Sequence, residues 1–244
     1  MQTELFTILD TVESTNNYAM RLVHEGLAKH GVAVFAYEQT NGKGQRGKVW
    51  MSNKGENITM SLILKPDKAF ALHPFYFNAF IAITVRQFFA ELAGEAVTIK
   101  WPNDIYWRDN KAGGILVENV MAGKNWKWAV VGIGLNINQQ NFEETLHNPT
   151  SLYNITQQNF DVLTLAKQLY QATLAAYQQL TTKDFYTLLQ QFNTHLYKLH
   201  KLVKLKKDNV AFYTTITSVN EYGQLQTVDS MERSFDFGEV SWVI

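Results

Sequence analysis

Glycines and cations alternate in the run Gln39-Thr-Asn-Gly42-Lys-Gly44-Gln-Arg-Gly47-Lys-Val-Trp50. It comes directly after Val32-Ala-Val-Phe-Ala-Tyr37, an apolar stretch of strand length and β-rich composition. Glycines behind a strand let backbone N–H groups approach an anion, because no Cβ stands between them. Lys43, Arg46 and Lys48 supply countercharge, and Trp50 offers a flat face to a planar ring. A guest that is both anionic and aromatic fits, and a nucleotide is both. The run also excludes two folds. Gly42-Lys-Gly44-Gln-Arg-Gly47 satisfies G-x-G-x-x-G, with an acid, Asp67, downstream, yet the dinucleotide fingerprint needs a helix opening on those glycines. The next residues, Lys48-Val-Trp-Met-Ser-Asn-Lys-Gly55, are loop chemistry without a helical period. A kinase glycine loop fits the same letters, and Asp236-Phe-Gly238 reads as D-F-G. No V-A-I-K or H-R-D segment lies between them.

Strand and helix signals alternate around this run. Phe6–Leu9 is strand-like, and Ser14 or Thr15 is placed to cap a helix carrying Tyr18, Leu22 and Leu27. Residues 57–64 alternate as a strand that Pro66 stops, and Pro74 to Ala93 is the longest helical stretch, apolar over much of its circumference. Val97–Lys100, Gly113–Val120 and Lys127–Asn136 read as strands, the last two joined by a turn at 121–125. Gly132 and Gly134 share one face of their strand and leave room there for something close to the backbone. Residues 142–155 read as loop, and helices are expected from Asp161 to about Leu180 and from Asp184 to about Leu196. Short strands come next at 203–205, 210–219, 223–228 and 234–243, a small all-β module. The expected domains are residues 1–197 and 198–244.

Composition narrows the function. At 244 residues the chain holds a sizeable core, and 22 basic residues balance 22 acidic ones, leaving no net field to draw nucleic acid or an anionic membrane. There is no cysteine, hence no disulfide and no thiol nucleophile. The first residues form no signal sequence, and no stretch reaches the roughly 18 apolar residues of a membrane span. A soluble cytoplasmic protein is expected. The polar constellations are Lys100-Trp-Pro-Asn103-Asp104, whose Asn103 and Asp104 offer hard oxygens suited to Mg²⁺, and Lys111-Ala-Gly113-Gly114, a mobile cation beside two glycines. Asn136 is able to pair with a ring edge. With no Ser/His/Asp set and no metal-spaced histidines, catalysis by positioning and charge stabilisation is expected.

Taken in order, these segments resemble the biotin protein ligases. Ser14-Thr-Asn16 looks like their S-T-N, and Gly42–Trp50 like their G-R-G-R-x-G-x-x-W loop. Lys100–Asp104 is similar to K-W-P-N-D, Lys111–Glu118 to K-x-x-G-I-L-V-E, and Gly132–Asn136 to G-x-G-x-N. The resemblance implies an α+β fold: a mixed sheet backed by helices, of the class II synthetase-like type, with a small C-terminal β-barrel domain. It implies ATP- and Mg²⁺-dependent ligation of biotin, through biotinyl-5′-AMP, to a lysine of a biotin carboxyl carrier domain. By analogy Ser14, Thr15, Asn16, Gln39, Gly42, Lys43, Gly44, Gln45, Lys111, Gly113 and Gly114 bind biotin. Lys43, Gln45, Arg46, Trp50, Asn103, Asp104, Lys111 and Asn136 hold ATP and the adenylate, with Asp104 as the Mg²⁺ ligand. Lys111, Asp104 and Arg46 carry the catalysis. Lys43 and Gln45 stand where better-known members have arginine, so a less tightly held adenylate is expected. Thirteen residues precede Ser14, so no DNA-binding domain is expected there, and the chain reads as a monomer or homodimer. A lipoate or octanoate ligase or transferase of the same fold is the enzymatic alternative. A non-catalytic sensor of biotin or biotinyl-AMP is the other.

Overall fold

A computed structural model describes residues 5–180 and 184–243. The reading of the extreme N-terminus and the break between the two late helices fall partly on residues outside that range. Among the described residues seven strands form one mixed sheet: β1 (Phe6–Val12), β2 (Val32–Gln39), β3 (Asn57–Leu64), β4 (Val97–Lys100), β5 (Asp104–Trp107), β6 (Asn110–Ala122) and β7 (Asn125–Asn136). Their order is β1-β2-β3-β7-β6-β5-β4, with β1 and β2 parallel and the other pairs antiparallel. The run after β2 makes only one 3-10 turn, at Gln45–Gly47, as its loop chemistry requires.

The period of two in a strand sorts side chains onto two faces. Ile58, Met60, Leu62 and Leu64 of β3 face the same side as Val131, Ile133 and Leu135 of β7, and all are buried in the main core. Covering that side are α2 (Pro74–Ala93), α4 (Val162–Gln179) and α5 (Phe185–Thr194). α2 is apolar nearly all round because it lies between the sheet and the other helices. The opposite face carries Asn57, Thr59 and Ser61, and part of it is covered by α1 (Thr15–His24), whose Ala19 packs on Val32, Ile63 and Val130. All eight residues of β3 are buried, so its polar alternation does not mark a solvent face. It marks the face on which the functional residues stand.

Two expectations need correction. The stretch 142–155 is not all loop: α3 (Leu152–Thr156) forms behind a Ser151 N-cap, too short for periodicity to reveal. The run 234–243 is two strands, β11 (Glu232–Phe235) and β12 (Ser241–Trp242), split by a turn with Gly238 at φ 90°. With β8 (Leu202–Lys207), β9 (Val210–Val219) and β10 (Leu225–Val228) they make a second, antiparallel sheet, in the order β11-β10-β9-β8-β12. It docks on α5 through Asn193, whose amide grips both backbone groups of Val219. The Trp101 indole N–H also donates to the Gly223 carbonyl, 2.8 Å away.

Candidate active site

Strand register sets the site. Asp104 of β5 is opposite Lys100 of β4 and Gly114 of β6, and Gly114 is opposite Gly134 of β7. Between Ile105 and Tyr106 the register slips, so that Tyr106 faces Lys111 and Ala112 is the extra residue. Without that bulge Lys111 would share a face with Gly113 and the core. With it, Lys111 Nζ lies 2.7 Å from Asp104 Oδ1 and 5.9 Å from the centre of the Trp50 ring.

Each glycine of β7 makes room for a particular side chain. A Cβ on Gly134 would stand 2.5 Å from Trp50 Cε2, and one on Gly132 would collide with the Asn16 amide. The expected space at these glycines is therefore taken by Trp50 and Asn16. Gly114 likewise lies against Trp50, Asp104 and Lys111, whereas Gly113 is packed against Leu135 on the core side. Trp50 reaches its position because the glycine loop closes on itself: Trp50 N donates to Gly42 O at 2.8 Å and Gly44 N to Lys48 O at 2.7 Å. The Trp50 indole N–H is buried without a partner, which suits a ring that gains a ligand contact.

Beside this row lies a second, more polar cluster. Ser14 caps α1, accepting from the Asn17 N–H, and so presents Thr15 and Asn16 toward the sheet. Gln39 Oε1 accepts from both the backbone N (2.8 Å) and Oγ1 (3.1 Å) of Thr15. Ser61 Oγ lies 2.7 Å from Thr15 Oγ1 and 2.5 Å from Asn16 Oδ1. Asn16 Nδ2 donates to Glu118 Oε2 at 2.8 Å, and Lys43 Nζ sits 3.6 Å from Glu118 Oε1. Ser61 and Glu118 are site residues that the single-sequence reading passed over. The signal for Ser61 lay in the polar alternation Asn57, Thr59, Ser61 of β3, and that for Glu118 in its place as the last residue of the Lys111–Glu118 run.

The remaining candidates divide. Asn103 Nδ2 donates to the Ile115 carbonyl, beside Gly114, which leaves Oδ1 as its cation-compatible atom. Asn136 Nδ2 donates to Thr150 O (2.8 Å), and Thr150 N to Lys111 O (2.8 Å), tying Asn136 to the Lys111 backbone. Gln45 lies in the loop's turn beside Gly44. Arg46 stands apart, at φ 55°, donating to Gly238 O (3.1 Å) in the turn between β11 and β12, with its guanidinium over Phe237. The sequence groups Lys100 with the Asn103–Asp104 pair, but its ammonium is enclosed by the rings of Tyr106 (4.6 Å), Trp242 (5.0 Å) and Tyr197 (5.8 Å). It donates to the Tyr106 hydroxyl at 3.0 Å. Burial pushes it down to about 8; Asp104 opposes that fall, and Lys111 and Lys48 add to it. Two cavities of about 600 Å³ lie elsewhere, one against His30 and Tyr177 and the other against Arg108 and Lys198.

No cluster of three or more His, Cys, Asp or Glu side chains suited to a metal occurs among the described residues. A single carboxylate, Asp104, next in the chain to Asn103 and already paired with Lys111, fits a Mg²⁺ carried chiefly by nucleotide phosphates better than a resident metal. No helix among the described residues is long and apolar enough to cross a membrane.

Known proteins are similar to this chain over much of its length. The bifunctional ligase/repressor BirA of Bacillus subtilis is 29% identical over 219 residues, 88% of this chain and 67% of that protein. The biotin–[acetyl-CoA-carboxylase] ligase of Paracoccus denitrificans is 36% identical over 132 residues, 53% of each chain. Among solved structures, the biotin protein ligase of Aquifex aeolicus in complex with biotin and ATP superposes with a TM-score of 0.81 at 25% identity, covering 98% of each chain. A family model described as Biotin/lipoate A/B protein ligase family matches residues 8–136, from β1 to the last residue of β7. That match spans just over half the sequence and takes in both clusters of the site face, and the chain therefore belongs to the biotin/lipoate A/B protein ligase family.

Proposed function

We infer that this protein is a biotin–protein ligase: it joins biotin to a lysine of a biotin carboxyl carrier domain at the expense of ATP, through biotinyl-5′-AMP. The observation that carries the reading is the pairing of two unlike clusters on one sheet face. Thr15, Asn16, Ser61 and Gln39 form one hydrogen-bonded group, and Trp50, Lys111, Asp104, Gly114 and Gly134 form a second beside it that sets a ring against a lysine–aspartate ion pair. A ureido ring needs donors and acceptors at the closed end, and an acyl-adenylate needs a cation and a flat surface beyond it. A lipoyl or octanoyl tail is apolar and has no donor or acceptor to meet the polar side chains of the first cluster, which favours biotin within the family.

In the first step a biotin carboxylate oxygen attacks the α-phosphorus of ATP and pyrophosphate departs. Lys111 stands where charge accumulates between carboxylate and α-phosphate, and its ion pair with Asp104 keeps Nζ aimed there. Trp50 stacks on the adenine, Asn136 reads the ring edge, and Gly42, Lys43, Gly44 and Gln45 fold over the intermediate, which Arg46 would join only by leaving Gly238. Ser14, Thr15, Asn16 and Gln39 orient the ureido end, while Gly113 and Gly114 bring backbone close to the acyl chain. Asp104 and Asn103 would hold a Mg²⁺ accompanying the phosphates, which would offset their charge. In the second step the carrier's ε-amine, with an ordinary pKa of about 10.4, gives up a proton, attacks the acyl carbon and displaces AMP. Asp104 assists that deprotonation. Residues 1–197 form the ligase unit and 198–244 the β-module that receives the loop through Arg46, and we place the protein in the cytoplasm as a monomer or homodimer.

The test is incubation of the purified protein with ATP–Mg²⁺, a biotin carrier domain and either biotin or lipoate. Pyrophosphate release and a biotin-sized mass gain on the carrier are expected with biotin only. No pyrophosphate with biotin overturns the reading. An Asp104→Asn variant that transfers preformed biotinyl-AMP to the carrier at the wild-type rate removes Asp104 from the second step.

A further inference from the structure

Glu118 has no place in the chemistry of either step, yet it joins the two parts of the site. It lies on β6, on the same face as Gly114, and its carboxylate is held from two sides. Asn16 Nδ2 donates to Oε2 at 2.8 Å, and Lys43 Nζ lies 3.6 Å from Oε1. The first turn of α1 contains no acidic residue of its own, so this carboxylate supplies the negative charge that a helix N-terminus favours.

We propose that Glu118 is a positioning residue: it sets which way the Asn16 amide points, and through Lys43 it latches the glycine loop to the same anchor. A carboxylate only accepts hydrogen bonds. Asn16 must therefore turn its NH₂ toward Glu118 and its Oδ1 toward Ser61 Oγ, 2.5 Å away. Ser61 in turn touches Thr15 Oγ1, and Thr15 engages Gln39 Oε1 through its backbone N–H, so Gln39 is left to show Nε2 toward Gly42. The order of donors and acceptors at Asn16 and Ser61 thus begins at Glu118, while the Thr15 backbone N–H sets Gln39 by itself. A ureido group carries both kinds of atom, so that order decides in which orientation biotin is received. The missing side chain of Gly132 keeps Asn16 in reach of Glu118, since a Cβ there would displace its amide. Lys43 belongs to the loop that ends on Trp50, so the anchor that sets the polarity of one cluster also restrains the cover of the other.

The orientation half of the proposal rests on the biotin reading; the latch half does not. The test compares wild type with Glu118→Gln and Glu118→Asp. The glutamine keeps size but loses charge and can donate, so both the order and the latch fail. In ligand-free protein, trypsin should cut after Lys43, Arg46 or Lys48 several-fold faster in E118Q. Calorimetric titration with biotin alone should show binding weakened about tenfold, the scale of one charge-assisted hydrogen bond, with KM for ATP raised by a smaller factor, because Trp50 keeps its own backbone bond to Gly42 when the latch is lost. E118D, which keeps an acceptor-only carboxylate, should recover part of both. Unchanged tryptic cleavage and biotin binding in a folded E118Q overturn the proposal. So does equal loss of biotin and ATP binding, the mark of a merely structural residue. If wild type binds no biotin, the functional reading and the orientation role fall, and the tryptic rates still decide the latch.

Discussion

Gly134 shows how much of this site depends on an atom that is not there. Trp50 lies flat where a side chain at 134 would be, and the same strand two residues earlier does the same for Asn16. Gly134→Ala puts a methyl 2.5 Å from the indole edge, with β7 paired on both sides and unable to retreat. The ring has to leave, and overpacking of this kind costs about 1–3 kcal/mol. The expected result is a red-shifted Trp50 emission, isolated with a Trp50→Phe control, together with raised KM for ATP and near-wild-type biotin binding. An unchanged spectrum and an unchanged KM would show that Trp50 does not depend on that glycine.

Among the elements, α1 and the β5–β6 hairpin each deliver their functional residues through a local device. Ser14 is almost fully buried and satisfies the Asn17 N–H, so the first turn of α1 starts at the residues that meet Gln39 and Ser61. Ser14→Ala should cost about 1 kcal/mol, the usual worth of an N-cap, read as a shift in urea midpoint at constant m. It should raise KM for biotin more than KM for ATP, because Thr15 and Asn16 are what the cap positions. Equal effects on both substrates would mean that the cap stabilises the molecule without aiming those residues. The hairpin's device is the bulge at Ala112, which turns Lys111 onto the face of Asp104. The run Lys111-Ala-Gly-Gly114 announces a cation near glycines. Period-two counting from Gly114 puts that cation on the wrong side.

Across the molecule, the two sheets meet at a buried ammonium. Lys100 ends β4, its cage combines Tyr106 of β5 and Tyr197 with Trp242 of β12, and its ammonium titrates near 8 because it is buried. The unfolded chain keeps that proton up to about 10.4. Between pH 8 and 10 the unfolded state thus binds more protons than the folded one, and stability rises with pH. Above pH 10 the tyrosines add to the opposing slope, since burial holds the Tyr106 and Tyr197 hydroxyls protonated in the fold after they ionise in the unfolded chain. Urea titrations at pH 8, 9 and 10 should show wild type gaining roughly 2 kcal/mol more than Lys100→Met, because the tyrosines, common to both, offset part of the absolute rise. A gain of the same size in Lys100→Met would assign the effect to another group.

Read as letters alone, the chain already yields the order of most elements and the chemistry available. Strands show by alternation, α2 by its length and apolarity, and the ligand class by Ser14-Thr-Asn16, the glycine–cation run and the residues from Lys100 to Asn136. These are legible because they depend on neighbours along the chain. Other features emerge only on folding: Trp50 and Asn16 fill the space over Gly134 and Gly132, a bulge brings Lys111 to Asp104, and Arg46 reaches Gly238 across 192 positions. Register, bulges and contacts between distant segments are settled by how strands pair and which faces are buried. That choice is made by all the packed segments at once, and local residue preferences leave it open.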